Sequence, residues 1–392
     1  MKGHIRKRGE KSWAVILDIG RDANGKRRQK WHRVRGTKKD AQRELNRLLY
    51  ELDEGTYIEP AKLSVGDYLE RWLDDYAANN VAGKTLERYT EIVRDHIKPA
   101  IGHVMLPKLQ PLQIQNYYSK ALVEGRKDGK GGLSAQTVLH HHRVLRGALK
   151  QAMRWQMLAR NPADAVEPPR PERQQMKALD EAGTVELLEA AKRSRLYRPI
   201  FLAVTTGMRR GEILALRWSA IDLDKGVLSV RESLEQTRKG LNFKQPKTGR
   251  SSRTIDLPQL IIAELRAHRA EQAQNRLALG PGYQDNDLVF PEPDGQPWAP
   301  DKLSSAFAAL VRRAKLTGFR FHDLRHTHAT QLLKQSVHPK IVSERLGHAT
   351  VAITLDTYSH VMPGMQQDAV QKIDDTLRIA LQHSERSKSE SQ

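Results

Sequence analysis

The chain has 392 residues, a length typical of two or three domains. It carries 66 Lys and Arg against 46 Asp and Glu, and a polyanionic partner is the simplest reason to tolerate the resulting net charge of +20. The absence of cysteine excludes disulfides, thiolate zinc sites and cysteine catalysis.

Residues 1–55 indicate a small α+β domain, a three-stranded sheet plus one helix. Alternating apolar residues in SWAVILDIG indicate a strand, DANGKRR contains an Asn-Gly turn signal, and TKKDAQRELNRLLYEL opens with a capping box and continues as a helix. Residues 1–47 hold 16 Lys and Arg against 5 Asp and Glu, a net charge of +11. This charge on a small sheet favours a domain that binds in a DNA groove over a merely solvated surface. The residues predicted to contact DNA are Arg6, Lys7, Arg8, Arg27 and Arg28.

Residues 62–165 predict an all-α domain, because apolar residues recur at helical spacing throughout. Its last helix, SAQTVLHHHRVLRGALKQAMRWQML, has an apolar stripe on one side. The opposite side is predicted to face DNA through His140, Arg143, Lys150 and Arg154. Three consecutive histidines resemble a metal site, but neighbouring residues point in different directions around a helix. We therefore predict no metal, and we expect His141 and His142 to pack beside the apolar stripe.

The proline-rich segment NPADAVEPPRPERQQMK predicts a linker. Residues 176–382 then predict a mixed, mainly α domain with a small antiparallel sheet in GVLSVRESLEQTRKGLNFKQPKTGRSSRTIDLP. A final amphipathic helix either docks on a neighbouring protomer or packs on its own domain. Residues 383–392 are rich in Ser, Lys and Glu and are expected to be disordered.

Several polar residues in this last domain have no evident packing role. In TTGMRRGEILALRW, Arg209 lies at a tight turn between two apolar helices, and the side chain of Arg210 is expected to point elsewhere. In GFRFHDLRHTHATQLL, His322 and Arg325 are three residues apart and share a helix face. Lys247 lies beside a Thr-Gly turn that fits a hairpin tip, with Lys244 as a competitor for the same role.

Together with His348 and Tyr358, these residues suit phosphoryl transfer. Forked guanidiniums bind the non-bridging oxygens of a phosphodiester under attack. The set contains no carboxylate pair that would hold Mg²⁺, and two arginines can substitute for the metal. A phenol with a pKa of about 10 becomes a nucleophile only with a base or cations beside it. The departing 5′-oxygen needs a proton donor, a role for Lys247, and His348 can donate to a phosphoryl oxygen.

The motifs TGMRRGE, HDLRH, LGH and TLDTYSH, in this order, resemble the tyrosine recombinase (phage integrase) family. The resemblance covers about residues 1–380 and implies that Tyr358 forms a 3′-phosphotyrosine. It further implies a phosphate clamp of Arg209, Arg325 and His348, proton transfer by His322, Lys247 as general acid and Glu212 as a supporting residue. His326 and His328 are expected to orient Arg325 or to pack, without a catalytic role.

The resemblance also implies an organisation and a set of partners. Residues 1–55 resemble the arm-binding domain, residues 62–165 the core-binding domain and residues 176–382 the catalytic domain of integrases from temperate phages or integrative elements. The implied partners are double-stranded attachment-site DNA, three further subunits in a homotetramer on two duplexes, a DNA-bending host factor and a directionality factor for excision. No cofactor is expected.

Two other functions remain open at this point. One is a type IB topoisomerase, which shares the tyrosine chemistry, although the basic N-terminal sheet argues against it. The other is a DNA-binding regulator that lacks catalysis, although every catalytic position is filled. The N-terminus lacks an apolar segment, and no run approaches the roughly 18 apolar residues of a membrane span. We therefore expect a cytoplasmic protein.

Overall fold

The computed structural model describes residues 3–21, 25–53, 63–172, 176–245, 252–316, 318–359, 370–371 and 373–381. The chain forms two compact units, Met1–Arg173 and Gln174–Gln392. Within the described ranges, every helix is too short or too polar to cross a membrane. Residues 383–392, which the sequence predicts to be disordered, lie outside the described residues.

The N-terminal sheet and its helix are present as predicted. They comprise β1 (Gly3–Gly9), β2 (Ser12–Arg21), β3 (Arg27–Arg35) and α1 (Lys38–Asp53). The strands are antiparallel in the order β1-β2-β3. The backbone N–H of Thr37 donates to the Asp40 carboxylate (2.8 Å), and the backbone N–H of Asp40 donates to the Thr37 hydroxyl (3.3 Å), which is the predicted capping box. Val15 and Leu17 are buried against Leu45 of α1, so one face of the sheet forms a small core.

Residues 63–172 are helical, as predicted. The α-helices are α2 (Val65–Trp72), α3 (Ala78–Asn80), α4 (Gly83–Ile92), α5 (Lys98–Ile101), α6 (Pro111–Glu124) and α7 (Ala135–Arg154). Two π-helical turns and two 3₁₀ turns connect them, at Leu73–Ala77, Val93–Ile97, Leu106–Lys108 and Pro162–Ala165. The last 3₁₀ turn falls in the segment predicted as a linker, and Ala163 and Val166 are buried in the helical core. Pro162 starts this turn, and the first residues of the predicted linker therefore pack on the helical core.

The two histidines expected beside the apolar stripe of α7 are buried. His141 is fully buried, and its Nδ1 lies 2.8 Å from the Tyr117 hydroxyl. His142 Nδ1 lies 3.1 Å from the Tyr118 hydroxyl. Each histidine is thus paired through Nδ1 with a tyrosine of α6, whereas Nε2 of His141 is buried without a hydrogen-bond partner among the described residues.

The second unit is mixed, with more helix than strand. Its helices are α8 (Glu181–Ala191), α9 (Tyr197–Thr206), α10 (Arg210–Leu214), α11 (Gln259–Leu279), α12 (Pro300–Arg313), α13 (Asp323–Lys334), α14 (Pro339–Leu346) and α15 (Val351–Tyr358). Short 3₁₀ turns follow α10 and α11, at Trp218–Ala220 and Gly280–Gly282. Helical residues also occur at 370–371 and 373–381, where the apolar side chains of Val370, Ile373 and Leu377 are exposed.

The predicted small sheet is two separate antiparallel sheets. The strands are β4 (Ile221–Asp222), β5 (Val227–Val230), β6 (Ser233–Thr237), β7 (Gly240–Lys244) and β8 (Arg253–Asp256). One sheet has the order β4-β5-β8, and the other pairs β6 with β7. The strands before and after Lys247 therefore belong to different sheets among the described residues. Strand β8 pairs with β5 rather than with β7. The Thr-Gly turn predicted beside Lys247 lies outside the described residues.

The buried His141 makes the stability of the helical region depend on pH. Burial, followed by the nearby His96, lowers the pKa of His141 to about 3. Above pH 6.5 the imidazole is neutral in both the folded and the unfolded chain. Below pH 6.5 only the unfolded chain binds the proton, so the free energy of unfolding falls, by up to about 1.4 kcal/mol per pH unit, until the pH nears 3.

We expect hydrogen exchange of α7 amides, corrected for intrinsic rates, to show this loss of protection between pH 6.5 and 4 in the full chain. His141→Gln should flatten the pH dependence, whereas substitution of the exposed His103 should leave it unchanged. Equal pH dependence in the wild type and His141→Gln would exclude His141 as its source.

Candidate active site

A left-handed turn positions Arg209. Gly207 ends α9 with φ of 67°, a conformation that side chains with a Cβ rarely adopt. A Cβ at Gly207 would also lie 2.6 Å from the Leu346 side chain and 2.7 Å from the His328 side chain. The turn therefore requires glycine. Arg209 follows in extended conformation as the N-cap of α10, with its side chain 40% exposed.

The C-terminal end of α14 binds three arginine side chains through its backbone carbonyls. The contacts join Arg253 Nε to Arg345 O (2.6 Å), Arg325 Nη2 to Leu346 O (2.7 Å) and, at a longer distance, Arg209 Nη2 to Gly347 O (3.5 Å). The last carbonyls of a helix lack partners within the helix and carry its negative dipole end, so they suit cations. Gly347 adopts φ of 66°, and a Cβ there would lie 3.0 Å from Arg253, so this turn also requires glycine.

Glu212 is the carboxylate that hydrogen-bonds to this cluster. It is 5% exposed and accepts hydrogen bonds from Arg253 (2.9 and 3.2 Å) and from the Arg209 guanidinium (2.7 Å) and backbone N–H (2.9 Å). Burial would raise the pKa of Glu212, but the hydrogen bond and charge of Arg253, assisted by Arg209, outweigh burial and hold that pKa below its usual range. The predicted supporting residue is therefore ionised and orients two arginines.

Arg325 is buried without a carboxylate hydrogen-bond partner among the described residues. It is 3% exposed, and its Nη1 donates to Gly207 O (2.7 Å). Burial, followed by the charge of Arg209, lowers the pKa of Arg325 to about 9, so the guanidinium stays charged at neutral pH. Of the three guanidiniums, only those of Arg209 and Arg253 hydrogen-bond to Glu212, so the cluster keeps an excess of positive charge that suits a phosphate.

A threonine orients His348. The Nδ1 atom of His348 lies 2.8 Å from the hydroxyl of Thr354, which is fully buried. Burial, followed by the charges of Arg325, Arg209 and Arg253, lowers the pKa of His348 to about 4. His348 is therefore neutral at pH 7. When the threonine hydroxyl donates to Nδ1, the proton of the imidazole is on Nε2, which can donate to an anion.

The phenol of Tyr358 hydrogen-bonds with His326. Tyr358 ends α15 and is 1% exposed, and its hydroxyl lies 2.6 Å from His326 Nδ1. Burial raises the pKa of Tyr358 to about 12, although the charge of Arg325 opposes this. The His322 ring lies edge-on to the His326 ring with centroids 5.2 Å apart. His322 is exposed to solvent. Partial burial of its imidazole, followed by the charge of Arg325, nevertheless lowers the pKa of His322.

Four further residues of this unit were singled out in the sequence, and each has a different outcome. Lys247 lies outside the described residues. Lys244 forms an ion pair with Glu235 within the β6-β7 hairpin. Arg210 donates to Pro300 O (3.0 Å), so its side chain points away from Arg209, as predicted. His328 is buried, with Nδ1 2.8 Å from Val204 O, and it packs rather than contacting the arginines.

The N-terminal sheet has a basic outer face, which we call the arginine face. On strands the side chains alternate between faces, and the pairing register assigns six long side chains to the face opposite α1. They are Arg6, Arg8, Arg27, Trp31, Arg33 and Arg35. They flank Ala14 and Ile16 of the central strand, which are nearly buried although they point outward. Arg8 lies over the Trp31 ring, 5.0 Å from its centroid. Of the predicted DNA contacts, Lys7 and Arg28 lie on the other side of their strands.

The predicted basic stripe of α7 is exposed. Arg143, Lys150 and Arg154 lie on the solvent side of the helix, and His140 at its edge hydrogen-bonds Gln136 (2.8 Å). The structure therefore brings these four residues to one face, opposite the buried His141.

Three residues of the cluster were not predicted. Arg253 resembles any strand arginine in the sequence, Thr354 resembles any helical threonine, and His326 was expected only to orient Arg325 or to pack. The sequence could have indicated the arginine face. Side chains alternate between the two faces of a strand, so Arg6 and Arg8 lie on one face of β1 and Lys7 on the other.

Sequence comparisons give this site its family. Residues 176–364 match the phage integrase family, residues 64–122 the SAM-like N-terminal domain of phage integrases, and residues 4–52 an arm DNA-binding domain. A XerC-like tyrosine recombinase of Caldanaerobacter subterraneus is 30% identical over 394 residues, which cover 95% of this chain and 98% of that protein. An integrase of Streptomyces ambofaciens is 28% identical over 375 residues, 91% of this chain and 92% of that protein. The chain therefore belongs to the phage integrase family, as predicted, and is a tyrosine-type site-specific DNA recombinase.

Solved structures show the same fold. The Tn1549 transposon integrase in complex with a circular intermediate DNA superposes with a TM-score of 0.67 at 18% identity, over 80% of this chain and 100% of that one. A lambda integrase tetramer bound to a Holliday junction gives a TM-score of 0.57 at 20% identity, over 90% of this chain and 94% of that one.

The buried Glu212–Arg253 pair should be important for stability. Arg253→Met leaves the Glu212 carboxylate buried with one fewer cation, and we expect the free energy of unfolding to fall by about 3–5 kcal/mol. Chemical denaturation of the full chain measures this change. The matched control is Arg266→Met, which removes an exposed pair with Asp224 and should cost less than about 1 kcal/mol. Similar losses in both variants would contradict the importance of the buried pair.

Proposed function

We propose that this recombinase cleaves and rejoins attachment-site DNA through a covalent bond between Tyr358 and a 3′-phosphate. The observation that carries the proposal is the cluster of three guanidiniums around one carboxylate, with the phenol of Tyr358 close enough to Arg325 for its pKa to respond to that charge. A scissile phosphate bound there would supply the missing negative charge.

The proposed clamp consists of Arg209, Arg325 and His348. Arg209 is the most open of the three and can reach an incoming phosphate directly. Arg325 adds a charge that burial strengthens, because Coulomb interactions grow as the local dielectric constant falls. His348 is neutral and donates a hydrogen bond through Nε2. Fixed donors of this kind stabilise the charge that develops on the non-bridging oxygens during attack.

In the proposed cleavage step, Tyr358 Oη bonds to phosphorus and the bond to the 5′-oxygen breaks. Lys247 protonates that oxygen, and His322, beside Arg325 at the start of α13, takes part in proton transfer. Rejoining is the reverse, with the 5′-hydroxyl attacking the phosphotyrosine. The bond energy is retained, so no cofactor is consumed.

We propose three functional domains for this chain, an arm-binding domain at 1–55, a core-binding domain at 62–165 and a catalytic domain at 176–382. Two DNA-binding modules on one chain raise the effective concentration of the second at its site. The lambda integrase tetramer on a Holliday junction supports a homotetramer on two duplexes. A host DNA-bending factor and a directionality factor complete the proposed assembly, which integrates or excises a mobile element.

The arginine face is the proposed contact of the arm-binding domain with DNA. Apart from a contact between Arg33 Nε and the Ser12 hydroxyl (3.2 Å) and the stacking of Arg8 on Trp31, its arginines have no hydrogen bond or ion pair among the described residues. Free guanidiniums on a flat sheet suit phosphates and base edges. On α7, the exposed Arg143, Lys150 and Arg154 and the partly buried His140 are the proposed contacts of the core-binding domain.

Trapping the covalent intermediate tests the nucleophile. A nicked attachment-site duplex loses the 5′ end of the cleaved strand, so religation fails and the protein–DNA adduct accumulates. We expect the wild type and Tyr283→Phe to form an adduct that denaturing electrophoresis resolves, with the modified peptide containing Tyr358. Tyr358→Phe should bind the duplex with unchanged affinity and form no adduct.

The outcome that would contradict the assignment is an adduct of Tyr358→Phe, or a modified residue other than Tyr358. Relaxation of a supercoiled plasmid without attachment sites, as efficient as with them, would instead favour the topoisomerase alternative.

The arginine face allows a second test with a neighbouring control residue. Arg6→Ala removes an outward guanidinium, and we expect weaker binding of the full chain to attachment-site DNA, with the slope of log affinity against log salt reduced by about 1. Lys7→Ala removes the same charge from the other side of β1 and should leave the slope unchanged. Equal effects of the two substitutions would mean that net charge, not the arginine face, controls binding.

A further inference from the structure

We infer that His326 is a further catalytic residue, the base that accepts the phenol proton of Tyr358 during strand cleavage and returns it during rejoining. The inference rests on the proposed function, because it assumes Tyr358 as the nucleophile. It changes the expectation that His326 only orients Arg325 or packs.

The phenol of Tyr358 is buried and has one hydrogen-bond partner among the described residues. Tyr358 is 1% exposed, and the aliphatic side chains of Leu333, Val342 and Leu346 are buried in the same cluster. Its hydroxyl lies 2.6 Å from His326 Nδ1, a distance short enough for direct proton transfer. Among the described residues this is the only hydrogen bond of the phenol, so its proton has one acceptor.

The other candidate bases of the site are engaged elsewhere. Glu212 accepts four hydrogen bonds from Arg209 and Arg253. His348 uses Nδ1 with Thr354. His322 contacts the ring of His326 rather than the phenol. Within the described ranges, His326 is the one candidate base with a nitrogen at hydrogen-bonding distance from the phenol of Tyr358.

The surroundings keep His326 able to accept a proton. Burial, followed by the nearby His322, lowers the pKa of His326 to about 4, so the imidazole is neutral at pH 7. In the tautomer with the proton on Nε2, Nδ1 accepts the hydrogen bond from the phenol of Tyr358. The titratable and charged groups that face it are Arg320, His322, Asp323, Arg325, His348 and Tyr358. A phosphate bound to the arginines would add negative charge nearby and stabilise the imidazolium as it forms.

In the proposed step, each proton and each bonding electron pair has a donor and an acceptor. As Tyr358 Oη bonds to phosphorus, its proton moves to His326 Nδ1, and the bond between phosphorus and the 5′-oxygen breaks with its electron pair leaving on that oxygen. The general acid, Lys247 in the proposed mechanism, supplies the proton that makes the 5′-hydroxyl. In rejoining, the 5′-hydroxyl gives its proton to Lys247, and His326 returns its proton to the departing phenolate.

The experiment measures single-turnover adduct formation on two nicked attachment-site duplexes, one with the natural 5′-oxygen at the scissile bond and one with a 5′-bridging sulfur. A thiolate leaves without protonation, so the sulfur duplex bypasses the general acid only. His326→Gln keeps a hydrogen-bond acceptor of similar size but cannot take a proton. We expect it to bind DNA normally and to form adduct about 10²-fold more slowly or worse on both duplexes. Lys247→Ala should be slow on the oxygen duplex and recover on the sulfur duplex.

A second measurement excludes misfolding of the variant as the cause. Replacing Tyr358 with 2,3,5-trifluorotyrosine makes the phenol more acidic, so it needs less help to ionise. We expect the penalty of His326→Gln, relative to His326 with the same nucleophile, to shrink at least tenfold. A variant with a distorted site would keep its full penalty with either phenol.

The inference is overturned if His326→Gln forms adduct within about threefold of the wild type, if the sulfur duplex restores it, or if the fluorinated phenol leaves the penalty unchanged. These outcomes leave the proposed function intact, because the wild type still forms the adduct at Tyr358. If the wild type forms no adduct, the proposed function itself fails, and the inference fails with it.

Discussion

The site depends on one arrangement, the binding of three guanidiniums to the C-terminal carbonyls of α14. Arg253, Arg325 and Arg209 each contact a different one of the three consecutive carbonyls of residues 345–347. Glu212 accepts hydrogen bonds from two of these arginines, Arg209 and Arg253. The carbonyls contribute only partial negative charges and Glu212 contributes one full negative charge, so the three guanidiniums leave a net positive charge. The residues that pack around the cluster must be stable beside that charge.

The histidines around the cluster follow from this constraint. Burial lowers the pKa of His326 and of His348 to about 4, with the next largest contribution from His322 at His326 and from Arg325 at His348. In this site the arginines therefore carry the positive charge at neutral pH, and the neutral histidines donate or accept hydrogen bonds. Thr354 and Tyr358 both lie on α15 and contact His348 and His326, so a single short helix connects the phenol to both imidazoles.

The sequence predicted the parts whose residue types were unusual for their setting. Arg209 between two apolar helices, the Thr37–Asp40 capping box and the apolar stripe of α7 were recognisable because local physics alone produces them. The sequence could not predict Arg253, because its role arises where β8 meets α14, a contact between residues 92 positions apart. It also gave no reason to place His326 beside the phenol, because Tyr358 on α15 and His326 on α13 are 32 positions apart and meet only in the folded chain. Lys247 stays a prediction, as do the domain boundaries.

Anchoring the arginines on main-chain oxygens has an evolutionary consequence. The acceptors at residues 345 and 346 are main-chain oxygens, so they do not depend on which side chain those residues carry, although Leu346 is itself buried in the core around Tyr358. Gly207 and Gly347 are constrained directly, because their backbone conformations disfavour any residue with a side chain. The proposed DNA contacts on the arginine face and on α7 use other residues, so substitutions there leave these main-chain acceptors unchanged. The same separation gives protein engineers a surface to redesign and a core to leave alone.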